Sequence, residues 1–290
     1  MSWPRQASQR DVLAALSVAR QGRIYDLSSG WWRGMPGIDL HPRFDVVTYR
    51  SPRGVRNQND IPMLAPENNT VGYGFMSEMV LGTTHTGTHI DALCHITCGD
   101  KDEWHGGHSA EQELGDLGAL NSDASEFPTF VSRGVCFDIP DLLGKTHLAP
   151  HTPVSAELLE RFAMERNVAV RPGDVALIRT GQMSVWPDVV AMDEAAGGAG
   201  LALDGAQWLY QRGCRAVGGD TAFLEVDPSG IEGSPQPVHI YLLQQNGIPI
   251  LEWVNCEELA RDGVYEFLFL CLPLTIKGAS GSMVRPLAIA

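Results

Sequence analysis

Apolar and polar residues along this chain switch between a helical and a strand-like period, so helices and strands should interleave. Ser8 precedes a run, DVLAALSVARQ from Asp11, that reads as a capped helix ended by Gly22, and 23–27 follows as a short strand. Residues 75–81 and 134–139 are apolar runs of strand length, the second stopped by Pro140. Ser155 opens a helix, AELLERFAMERN, whose Leu158, Leu159 and Phe162 share one stripe. Residues 168–170 and 174–180 read as strands around a Pro-Gly turn. Asp204 is placed to cap the helix GAQWLYQRG, with Gln207 as its capping-box partner. The next strand, 214–218, leads into the turn Gly219-Asp220-Thr221, a strand end of the kind where active-site groups sit. The run 237–246 predicts a short helix closed by Asn246-Gly247, followed by strands over 248–254 and 265–272. Polar, Pro- and Asn-rich 52–69 reads as loop. The aperiodic stretch 181–200, with its AAGGAG, reads as a mobile excursion of lid-like character. No composition break marks a linker, so the expectation is one α/β domain over residues 1–290. No Gly-x-Gly-x-x-Gly, Walker loop or repeat is present, which disfavours a nucleotide-binding enzyme.

Composition narrows the partners. With 44% hydrophobic residues, 290 residues suffice for a sizeable core. A net charge of −14 offers neither nucleic acid nor an anionic membrane a basic face, which leaves a small molecule as the expected partner. The opening MSWPRQASQRD has no apolar core of a secretory signal. The longest apolar run, 267–272, is far short of the roughly 20 residues that cross a bilayer. Cys94, Cys98, Cys136, Cys214, Cys256 and Cys271 are dispersed through apolar contexts and read as buried thiols rather than a disulfide framework. A soluble cytoplasmic protein is expected.

The chemistry is concentrated in TTHTGTHIDALCHIT, residues 83–97, which holds His85, His89, Asp91 and His95. Imidazole and carboxylate are the donors of N/O sites for Zn²⁺, Mn²⁺ or Fe²⁺. A straight strand would hold His85 and His89 roughly 13 Å apart, too far for one ion, so the backbone must bend between them. Gly87 is the residue best able to bend. Thr83, Thr84, Thr86 and Thr88, with Gly87, make a poor helix. The expected local structure is therefore a strand end running into a kinked loop, with a metal at the kink.

A second set lies near the C-terminus. His239 shares a helix face with Leu242 and Leu243, and so should point inward. In IPILEWV, Glu252 falls among apolar residues on both faces, and a buried carboxylate needs a cation or several donors to stay ionised. A metal is one solution; a salt bridge with Arg179 or Arg285 is the other. His105 and His108 follow the motif closely, but a polar Gly-flanked loop is usually a solvated one.

The run His85-Thr-Gly-Thr-His89-Ile-Asp91-Ala-Leu-Cys-His95 resembles the HxGTHxDxPxH motif of the cyclase superfamily. Those metal-dependent hydrolases include kynurenine formamidase, isatin hydrolase and trans-dienelactone hydrolase. The resemblance extends from Asp26-Leu27-Ser28 to Gly278-Ala-Ser-Gly281, with Leu93 at the motif's proline position. It implies a swivelling β/β/α fold and one or two divalent ions per chain, Zn²⁺ or Mn²⁺. By the family pattern His85, His89, Asp91 and Glu252 hold one ion, and Asp91, His239 and Glu252 the other. It also implies that His95 is the proton shuttle and that an aromatic of the loop 28–36 walls the substrate, here Trp31 or Trp32, with Met35 where formamidases carry it. The glycine-rich turn near the C-terminus should pack beside the site, and a homodimer or homotetramer is expected.

Hydrolysis of an amide, formamide, lactone or cyclic imide follows from such a site. The expected activity is arylformamidase-like, of the N-formylkynurenine type belonging to tryptophan catabolism, with isatin or dienelactone ring opening as the alternative. Two rivals are a cysteine hydrolase using Cys94 and a metal-binding sensor or scaffold without turnover.

Overall fold

A computed structural model of the protein describes residues 7–290, so the first six residues of the opening MSWPRQASQRD lie outside the described residues. Its frame is a nine-stranded mixed sheet. In spatial order the strands are Ile24–Asp26, Leu287–Ile289, Glu266–Cys271, Phe130–Asp138, Val175–Arg179, Ala216–Gly219, Ile250–Glu252, His89–Asp91 and Gly281–Met283. The four from Phe130–Asp138 to Ile250–Glu252 are parallel, and the pairs at either end are antiparallel. Every residue of Val175–Arg179 is buried, as a central parallel strand covered on both faces requires. One core lies against the helices Ala156–Glu165 and Leu203–Gln211, through Phe137, Ile178, Phe162 and Leu209. A second core, with Ile90, Leu251, Phe267 and Phe269, fills the other face.

Register explains why the ends of the sequence meet. Glu252 pairs with His89 and Leu251 with Ile90, while Gly281 pairs with Asp91 from the opposite edge. Side chains alternate along a strand, so His89, Asp91 and Glu252 share a face and Ile90 and Leu251 point into the second core. Apolar packing on one face thereby fixes the polar set on the other.

Several expected elements differ. The first helix spans Gln9–Leu16, with the reciprocal Ser8–Asp11 capping box, and ends before Gln21 because Ser17 closes it. Residues 52–69 are not all loop: Ser51 caps the helix Pro52–Gln58, with proline in its first turn and left-handed Asn59 ending it. Residues 168–170 form no strand. The expected lid at 181–200 is built into the body instead: it holds the helix Val189–Glu194 and buries Met192, Ala195, Ala196 and Ala199. Asp204 does not cap its own helix, whose N-cap is Ala202; its carboxylate accepts from the Ala156 N–H at the start of the neighbouring helix. The helix at 237 is α-helical only over Pro237–His239 and continues as a π-helix, Ile240–Gln245. None of the six cysteines is in a disulfide; five are buried and Cys98 is half-buried. No helix of the described residues is long and apolar enough to cross a membrane.

Candidate metal centre

The kink falls where the sequence placed it. Gly87 has φ +53°, and the strand His89–Asp91 begins two residues later. A Cβ at Gly87 would lie 2.8 Å from Ser29 Oγ and 2.9 Å from both Met35 Cε and Trp31 Nε1. The turn is therefore clamped by the loop 28–36. Trp31 Nε1 donates to the Thr86 carbonyl at 2.8 Å, and Ser29 and Thr88 exchange hydrogen bonds.

Five expected ligands converge. His89 Nδ1 donates to the Gly87 carbonyl at 2.8 Å, leaving Nε2 to face Glu252 Oε2 at 3.2 Å and Asp91 Oδ1 at 3.5 Å. His239 Nε2 lies 3.1 Å from Glu252 Oε1 and 3.9 Å from Asp91 Oδ2. His85 Nδ1 lies 2.8 Å from Asp91 Oδ1, and its Nε2 2.9 Å from Ser280 Oγ. Ligand atoms of His89, Asp91 and Glu252 lie within 4.8 Å of one another, and so do those of His85, Asp91 and His95. The glycine-rich turn does pack beside the site, since a Cβ on Gly281 would meet the His85 ring at 2.6 Å.

The donor set fits a divalent cation. Asp91 is fully buried, and its Oδ2 has no hydrogen-bond donor. An orphaned carboxylate oxygen in the interior is expensive unless a cation answers it. Burial by itself would raise the Asp91 pKa, yet the imidazoles of His95, His85 and His89 hold it well below the usual carboxylate range. Burial likewise opposes charge on Glu252, and hydrogen bonds from His239 and His89 bring its pKa down. Burial lowers the proton affinity of His89 and His239, but the carboxylates outweigh it, raising His89 through Glu252 and Asp91 and His239 to about 10 through Glu225 and Glu252. A field that attracts a proton this strongly attracts a metal ion in the same place.

His95 stacks on His85 with ring centroids 4.0 Å apart, and its pKa is pushed down to about 4 by burial, against Asp91 and with help from His85 and His239. It is a neutral imidazole at pH 7. Cys94, by contrast, is buried and its thiol is pushed up to about 12, first by burial and then by Asp123. A thiol so far from ionising is a poor nucleophile, which removes the main support for the cysteine reading.

Other expected residues sort plainly. Neither arginine pairs with Glu252: Arg179 binds Asp138 and Glu257, and Arg285 binds Asp26. His105 Nδ1 is hydrogen-bonded to the Gln244 carbonyl and His108 to Glu113. Trp32 is exposed and packs edge-on against Trp186, while Met35 is buried against Gly87. Asp220 is spent on structure, accepting from Thr180 and Gly181. Two further residues stand at the site. His41 stacks on His85 at 5.4 Å from an irregular loop, and Glu225 holds His239 from behind. Glu225 lies between Leu224 and Val226, the same apolar flanking that singled out Glu252.

A family model described as a putative cyclase matches residues 25–226. The chain is 28% identical over 212 residues to cyclase-like protein 2 of Oryza sativa subsp. japonica, covering 71% of this chain and 62% of that protein. It thus spans less than two thirds of that relative's length. The crystal structure of a novel cyclase superposes with a TM-score of 0.83 at 23% identity, over 98% of this chain and 94% of that one. An isatin hydrolase bound to the product analogue thioisatinate gives a TM-score of 0.66 at 16% identity, over 98% and 99%. These likenesses establish the fold.

Proposed function

The chain belongs to the putative cyclase family, and from that premise we propose that it is a metal-dependent hydrolase of small amides, formamides, lactones or cyclic imides. The observation that carries the proposal is the convergence of His85, His89, His239 and Glu252 on one buried cluster with Asp91, whose Oδ2 is unpartnered, with neutral His95 beside them. His85, His89, Asp91 and Glu252 would hold one ion, and Asp91, His239 and Glu252 a second. Zn²⁺ and Mn²⁺ both suit this donor set. A divalent ion bound there polarises a carbonyl and lowers the pKa of water towards about 7.

The protein's own residues supply the rest. His95 takes a proton from the attacking water and delivers it to the leaving nitrogen or oxygen. Its low proton affinity keeps it free to accept at neutral pH. His85, stacked against it and tied to Asp91 and Ser280, fixes the ring that receives the proton. Trp31, Trp32 and Met35 form the substrate wall of this reading. Trp31 and Met35 lean on the ligand turn itself, so the wall and the kink move together.

An N-formylkynurenine-type arylformamide is the first substrate to test. The superposition on an isatin hydrolase over nearly the whole of both chains favours a second, ring opening of a cyclic imide or lactam. The test is hydrolysis of a panel of N-formylkynurenine, isatin and dienelactone by metal-loaded protein. Turnover of one class, abolished by chelator and restored by Zn²⁺ or Mn²⁺, is expected. Stoichiometric metal binding with no hydrolysis across the panel would favour a non-catalytic sensor or scaffold.

A further inference from the structure

Glu225 belongs neither to the histidine-rich motif nor to the candidate ligand set, yet it makes three hydrogen bonds to Val238 and His239, two of them to His239, a member of that set. It is buried, on the stretch that leaves the strand Ala216–Gly219. Oε2 accepts from the Val238 N–H and Oε1 from the His239 N–H, each at 3.0 Å. Oε1 also takes the Nδ1–H of the His239 ring. One carboxylate therefore ties down the first turn of the helix Pro237–His239 and fixes both the orientation and the tautomer of the side chain that this turn presents. With Nδ1–H committed to Glu225, Nε2 is the atom turned to Glu252 and Asp91, and the one that would bind an ion in place of its proton. His89 is oriented differently, by the neutral carbonyl of Gly87.

We infer that Glu225 is the positioning residue for the second ion, holding His239 as an Nε2 ligand beside Asp91 and Glu252 and setting the occupancy of that position alone. The inference rests on the metal reading of the cluster. A carboxylate behind a ligating imidazole strengthens it as a donor and removes the freedom of the ring to turn away. The competing account makes His239 a bridge between two carboxylates, a structural contact with no bearing on metal. The two accounts predict different things for metal affinity.

The measurement is calorimetric titration of chelator-stripped, dialysed protein with Zn²⁺ alone, with elemental analysis of the product, on wild type, Glu225→Gln, Glu225→Ala and His239→Ala. Glutamine keeps the size of the side chain, but its amide –NH₂ would meet a backbone N–H. The wild type is expected to take two ions. Glu225→Gln should bind one of them within about threefold of wild type and the other about 10–100-fold more weakly. His239→Ala should lose that same ion, and adding Glu225→Gln to it should change nothing further, as coupling through one side chain requires. Variants that keep two ions at wild-type affinity overturn the inference, even if they melt earlier. So do Glu225 variants that lose both ions together or fail to fold, and a wild type that takes a single ion. A wild type that takes no ion defeats the metal reading itself, and is distinguished by that result.

Discussion

At the scale of single residues, the site separates groups that attract cations from one group that stays neutral. His95→Ala removes only the latter, so the variant should keep its metal and lose about 10²–10⁴-fold in kcat. Wild-type turnover in that variant would remove His95 from the reaction. The sign of the pH dependence follows from the same residue. As a proton acceptor His95 works in its neutral form, which prevails above a pKa lowered to about 4, and a nearby cation lowers it further. The His95 limb of kcat/KM should therefore be lost only as pH falls through about 4, and a limb near the ordinary histidine value that is absent from the residual activity of His95→Gln would contradict the assignment. Cys94 offers the opposite check: with its thiol pushed up to about 12, iodoacetamide at pH 8 should leave activity intact, and Cys94→Ala should retain it.

At the scale of elements, the decisive feature is the turn between His85 and the strand His89–Asp91. Gly87→Ala would impose a left-handed conformation on an L side chain, at about 1–2 kcal/mol, and push its methyl into Ser29, Met35 and Trp31. The expected result is a lower Tm together with reduced metal content; a variant with wild-type metal content would show that the kink does not set the ligand geometry. This turn was legible in the sequence because its ligands crowd into eleven residues and only a bend reconciles their spacing. His239 and Glu252 were legible as polar residues among apolar ones. Glu225 carried the same mark, but its partner lies 14 residues away across a loop, a separation that no local period encodes. His41 stood alone between Leu40 and Pro42, with nothing to tie it to His85. The stretch 181–200 departs from the expected mobile excursion for a physical reason. Its small residues suggested looseness, whereas side chains at Gly197, Gly198 and Gly200 would overlap the backbone of Asp193, Asp227 and Leu224, so smallness there serves close packing.

At the scale of the whole molecule, the sheet assembles the site from both halves of the sequence, and the antiparallel strand pair of Asp45–Arg50 with Ser77–Leu81 stands outside it. Val46, Met79, Val80 and Leu81 on that pair are exposed, as are Leu272 and Leu274. An apolar surface of this kind supports the proposed homodimer or homotetramer. Light scattering should then give two or four times the 31.5 kDa chain mass, and Val80→Glu should shift it towards the monomer. A monomer at micromolar concentration would count against the proposal. The central claim is that the buried cluster around Asp91 holds metal. Its most direct test is elemental analysis of protein purified without added metal or chelator, beside a His89→Ala/Asp91→Ala variant. The account predicts one to two Zn or Mn per chain in the wild type and almost none in the variant. Wild-type protein that contains no metal, yet still hydrolyses a substrate after dialysis against chelator, would contradict it.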